Sequence, residues 1–123
     1  MRRILITSAD ISATANLNES STADAIWDVL PIEARANIWG DEIYFSIPVH
    51  EAEANDAREV VEKGDIGYWP HGDAFCIFFG PTPASRADEI RAASAVNIVG
   101  KVDGDPLVFR KVSEGGVVKI EKA

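Results

Sequence analysis

Gly64-Asp65-Ile66-Gly67-Tyr68-Trp69-Pro70-His71-Gly72-Asp73-Ala74-Phe75-Cys76-Ile77-Phe78-Phe79-Gly80-Pro81-Thr82-Pro83 is the stretch on which the reading of this chain turns. Pro70, Gly72 and Asp73 are turn formers, and they separate two runs of strand-type residues. The first run, 64–69, ends in Tyr68-Trp69. The second, 74–80, is apolar at nearly every position. A strand apolar on both faces is covered on both sides, so this one belongs in the middle of its sheet. Pro81-Thr82-Pro83 ends it, because proline has no amide hydrogen for a ladder.

Toward the N-terminus, Ile4, Leu5 and Ile6 start a strand. Ile11, Ala13, Ala15 and Leu17 then alternate with polar residues, the period of a half-buried strand. Ala9-Asp10 between them suggests a tight hairpin. At 23–30 the period changes: Ala23, Ile26, Trp27 and Leu30 share one helical face, with Ser21 as cap and Pro31 as terminator. Alternation returns over 32–38 and 43–47, joined by a two-residue hairpin turn at Gly40-Asp41 with glycine first. The acidic stretch 49–63 has no clean period and reads as a loop with one helical turn.

Toward the C-terminus, Ser85 and Asp88 can cap a short helix through Arg91. Strands are expected at 96–103, 106–112 and 117–121, with turns at Asp103-Gly104 and Gly115-Gly116. The expected fold is therefore mainly β: a closed or nearly closed antiparallel β-barrel of about eight strands with one or two short helices, since closure removes sheet edges. Residues 1–123 form a single domain, as a chain of this length usually does.

Composition narrows the function. Twelve basic against twenty acidic residues leave a net charge of −8, which opposes phosphate backbones and anionic lipid. Neither a nucleic-acid nor a membrane partner is expected. No apolar run approaches the ~18 residues of a spanning helix, and the one after Met1-Arg2-Arg3 is too short for a signal peptide. A single cysteine, Cys76, excludes an intrachain disulfide and suits a cytoplasmic location.

The 64–83 stretch, with Gly-Asp-Ile, Tyr-Trp-Pro and Phe-Phe-Gly-Pro-Thr-Pro, resembles the signature of the small prokaryotic cyclophilin-like proteins. The order hairpin, helix, strands resembles the cyclophilin N-terminus, and Val99-Gly100-Lys101-Val102 is similar to a cyclophilin strand reading Phe-Gly-Lys-Val. The resemblance implies cyclophilin topology. It also implies a departure: where cyclophilins carry Phe-His-Arg, this chain has Tyr44-Phe45-Ser46-Ile47-Pro48, with no arginine until Arg58. Ala74 stands in place of a glutamine, and the late active-site histidine has no counterpart. Amide rotation has an uncatalysed barrier of ~18–20 kcal/mol, and aimed donors supply the largest share of its reduction. Their loss argues against prolyl isomerisation.

The candidate binding residues are Tyr44, Phe45, Tyr68, Trp69 and His71, aromatics around a turn that suit a pocket for an unidentified peptide or small molecule. The competing reading is that Tyr68 and Trp69 cap the core while Pro70 and Gly72 shape the turn. No catalytic residue and no cofactor is expected. Cys76, mid-strand among Phe75, Ile77 and Phe78, reads as a small buried hydrophobe. His50, His71, Asp65 and Asp73 lack the close spacing of a dedicated metal site, so no metal is expected. A weak isomerase using Arg58 as substitute donor, and a structural or homo-oligomer-forming domain, are the alternatives.

Overall fold

A computed structural model describes residues 2–123. Its strands are β1 (Arg2–Ser8), β2 (Ile11–Leu17), β3 (Ile32–Arg35), β4 (Asn37–Ile38), β5 (Glu42–Ser46), β6 (Arg58–Val61), β7 (Asp65–Trp69), β8 (Ala74–Phe78), β9 (Ile90–Val102) and β10 (Val117–Lys122). One helix, α1 (Ser21–Val29), follows the β1–β2 hairpin. That hairpin turns on Ala9-Asp10 as expected, with Ser8 opposite Ile11 and Ala9 in the left-handed region at φ 53°.

The main sheet is antiparallel and runs β3-β10-β1-β2-β9-β7-β8-β5-β4. Its two end strands are consecutive in the chain, joined by the single residue Ala36. The ring is thus completed by covalent chain and not by a further ladder of hydrogen bonds. Ala36 is pinned there by an N–H donated to Gly116 O (2.8 Å) and by the Gly115 N–H donated to its carbonyl (2.8 Å). The expected 32–38 strand is one segment bent at this residue, half of it serving β10 and half β5.

Inward side chains fill the barrel: Ile4 and Ile6 from β1, Ile43 and Phe45 from β5, Ile66 and Tyr68 from β7, Phe75 and Ile77 from β8, joined by Ala23 and Ile26 of α1. A second, smaller core lies on the outer face. There Cys76 and Phe78 of β8 pack against Val61, Ile90, Ala92 and Val96. β8 is buried at all five positions, as its double-faced apolar pattern requires.

Local chemistry moves several expected boundaries. Ser20, one residue earlier than expected, caps α1; its Oγ accepts the Ala23 N–H at 3.2 Å. The 49–63 loop contains a real strand, β6, paired with the first half of β9. No helix forms at Ser85. Its hydroxyl instead accepts from the Thr82 N–H (2.9 Å) and the Arg91 N–H (3.1 Å), which closes a turn and lets β9 begin at Ile90. The expected strand 106–112 is a 3-10 helix, Pro106–Lys111, because Pro106 starts it and the Asp105 carboxylate caps the Leu107 N–H at 3.0 Å. No helix among the described residues is long and apolar enough to cross a membrane.

Candidate functional site

The outer face of β5, β7 and β8 holds a groove of about 250 Å³, lined by Trp39, Glu42, Tyr44, Trp69, Ala92, Ala93 and Val96. Strand parity builds it. Side chains two apart on a strand share a face, so Glu42 and Tyr44 of β5 point outward while Ile43 and Phe45 point into the barrel. On β7, likewise, Trp69 faces the groove and Tyr68 faces the core.

Trp39 and Glu42 flank the Gly40-Asp41 turn and exchange both backbone hydrogen bonds, Trp39 N–H to Glu42 O at 2.9 Å and the reverse at 3.2 Å. Gly40 has φ +61°, and a Cβ there would meet Pro83 and the Thr82 backbone at 2.9 Å. The Pro81-Thr82-Pro83 segment therefore buttresses the hairpin, with the Asp41 N–H donated to Pro81 O at 2.9 Å. Opposite, Trp69 is oriented by its indole N–H, donated to Ser94 Oγ at 2.6 Å, and its ring lies where a Cβ on Gly72 would sit. The wall between comes from β9. Val96 crosses Gly67 so closely that a Cβ there would meet Val96 at 2.9 Å, and the small Ala92 and Ala93 leave the groove open.

Glu42 is the unusual group. It is 5% exposed, and its Oε1 is buried with no hydrogen-bond partner among the described residues. Burial pushes its pKa from 4.5 up to about 7, and a hydrogen bond with the Cys76 thiol offsets this only in part. The Cys76 S–H itself is donated along its own strand to Ala74 O, at 3.8 Å. The thiol's own pKa rises well above the ordinary value, first through burial and then through Glu42. A buried thiol held protonated is inert.

Of the five sequence-derived candidates, Tyr44 and Trp69 line the groove. Phe45 does not: it is stacked on Phe75 inside the barrel, ring centroids 5.5 Å apart. Tyr68 does not either. Its hydroxyl, within the core end, lies 2.8 Å from Val49 O and 3.0 Å from Asp73 Oδ1 and accepts the Glu51 N–H at 3.1 Å. His71 is exposed behind Trp69, its ring centroid 5.9 Å from the indole. Adjacent residues on one strand cannot both face one groove, which is why each Tyr-Phe and Tyr-Trp pair splits. Glu42 and Trp39 were missed because an acid and a residue before a turn carry no binding signal alone. Parity from Tyr44 would have found Glu42.

The 49–57 segment is clamped, not hinged. Asn97, 2% exposed, donates to Ala52 O (3.0 Å) and Thr22 Oγ1 (3.1 Å) and accepts the Ala54 N–H (2.8 Å). His50 Nδ1 lies 3.0 Å from Asp73 Oδ1, and that contact, ahead of the one from Tyr68, lowers the Asp73 pKa. Among the described residues no three His, Cys, Asp or Glu side chains gather as a metal set.

The profile of the family described as cyclophilin-like matches residues 2–121. A hypothetical protein of Archaeoglobus fulgidus, solved in solution, is similar over 99% of this chain and 95% of its own, at 40% identity and a TM-score of 0.83. McbB, solved in complex with tryptophan, shares the fold at a TM-score of 0.71 and 18% identity; the match spans 96% of this chain but 44% of McbB. No functionally curated protein matches the chain.

Proposed function

This chain belongs to the cyclophilin-like family, and from that premise we propose that it is a non-catalytic binding module whose outer-face groove holds a small molecule or one side chain of a peptide. The observation that carries this reading is the groove itself: three aromatic side chains, Trp39 beside its turn and Trp69 held by its indole hydrogen bond, beside a buried carboxyl oxygen with no partner among the described residues. Buried polar atoms are nearly always satisfied, so an orphaned oxygen on a side chain that lines the groove favours a donor supplied by a ligand. About 250 Å³ lies just under the ~300–1,000 Å³ of typical ligand pockets, which suits a compact ligand.

The non-catalytic part rests on the missing donor. No arginine lines the groove. Arg58, the substitute considered from sequence, stands on β6 opposite Val96. Arg91 is tied to Glu89 at 2.6 Å and Arg110 to Asp41 at 3.0 Å. An amide bound here would meet aromatic faces and an acid, without the aimed cation that amide rotation calls for.

An NMR titration with an Ala-Pro peptide tests both parts. Shifts should cluster at Trp39, Tyr44 and Trp69, and Trp69→Ala should weaken binding by about tenfold or more, as loss of a buried aromatic anchor does. Binding unaltered by Trp69→Ala would remove the groove from consideration. Accelerated cis–trans exchange of the peptide would overturn the non-catalytic reading.

A further inference from the structure

We propose that the groove takes an organic ammonium group, with Glu42 meeting its charge at the base and Trp39, Tyr44 and Trp69 lying against its flanks. This inference rests on the groove being a binding site and adds the chemistry of its occupant.

The lining sorts ligands by charge. Aromatic faces carry the negative side of the ring quadrupole and attract cations, the more so when water is excluded. Tyr44 and Glu42 are the only ionisable residues lining the groove among the described residues, and neither becomes positive. An anion would therefore meet an acid and three π faces with no cation to answer it. A neutral donor would satisfy Oε1 and pack against the rings but gain no cation–π attraction from them. An ammonium group does both at once: its N–H donors suit the Glu42 carboxyl, once that side chain turns its buried oxygen toward the groove, and its charge lies among aromatic side chains. The net charge of −8 adds an attractive long-range field for such a ligand.

Proton linkage follows. The titratable groups beside Glu42 are Tyr44 on its own strand, Cys76 on β8 and Asp41 in the turn, paired with Arg110; Arg91, which precedes the lining Ala92 on β9, is tied to Glu89 and Glu59. His71 lies across Trp69, outside the lining. None places a free cation against the carboxyl, so in the empty groove Glu42 holds its proton up to about pH 7. An ammonium ligand favours the carboxylate, lowers that pKa and expels the proton. Below about pH 7 affinity then climbs by up to tenfold per pH unit, and it levels off above, until an alkylammonium loses its own proton near pH 10.

The test uses the whole chain with three matched probes: phenethylammonium, neutral 2-phenylethanol and anionic phenylacetate, followed by tryptophan fluorescence and calorimetry. The proposal expects the ammonium to bind best, to tighten from about pH 5 to 7, and to release close to one proton per molecule bound near pH 6. Glu42→Gln, its fold checked by NMR, should abolish the pH dependence and weaken the ammonium at least tenfold, several-fold more than it changes 2-phenylethanol. Should that variant fail to fold, proton release by the native protein, read in buffers of different ionisation enthalpy, decides alone. Equal binding of ammonium and alcohol, or binding without proton release, overturns the ammonium proposal but keeps the groove. The same holds if no probe binds while the proline peptide still depends on Trp69. Failure of the probes together with a Trp69-independent peptide overturns both.

Discussion

A single carboxyl dominates the residue scale. Glu42 binds a proton more tightly folded than unfolded, so between pH 4.5 and about 7 the folded state holds more protons. Its contribution to stability is greatest below the unfolded pKa and is lost as pH rises through the folded one, by up to about 3 kcal/mol. Urea unfolding at about pH 5 and pH 8 should show Glu42→Gln flattening that decline, and a variant with the native slope would show that Glu42 is not the group responsible. Cys76 makes a companion prediction. At 1% exposure and with its proton held, it should resist thiol reagents in the folded protein and react at the global unfolding rate. Fast labelling under native conditions would contradict the packing of the outer core.

Elements show where sequence runs out. Period and turn chemistry gave the β1–β2 hairpin, α1, the Gly40-Asp41 turn and the central place of β8, all of which are local signals. Missing were β6, whose Arg-Glu-Val-Val has no alternation because only Val61 is buried, and the first half of β9. There Ser85 looked like a helix cap but serves the turn that opens the strand. Both mistakes concern the outer core, which exists only once β9 crosses β7, and no window of sequence contains that crossing. The lining of the groove was half legible for the same reason: Tyr44 and Trp69, named by residue type, face it, while strand parity turns Phe45 and Tyr68 into the barrel. Gly67→Ala probes the crossing. Its Cβ would meet Val96 at 2.9 Å, and such overpacking costs about 1–3 kcal/mol. Hydrogen exchange should quicken at β6 and at 90–96 before it does in β1 or β2, and uniform quickening would argue against a separable outer layer. Asn97→Ala should act on a different element, freeing the amide of Ala54 with a loss of about 1–3 kcal/mol for the polar groups left unpaired.

At the scale of the molecule, the barrel and the groove are two consequences of one sheet. Inner side chains of β5, β7 and β8 make the main core, and their outer neighbours make the groove, so changes on one face leave the other's residue types untouched. The join at Ala36 has a consequence for the company this protein keeps. Because β3 and β4 are consecutive, the strands at the ends of the sheet expose short edges: four residues at β3 and two at β4, with four more along β6. Those stretches carry exposed Glu33, Arg35, Arg58 and Glu59, and the Ile38 amide is already taken by the Glu114 carboxylate at 3.2 Å. Charged, short edges discourage strand addition. Crowded copies of this chain have little backbone left with which to template one another.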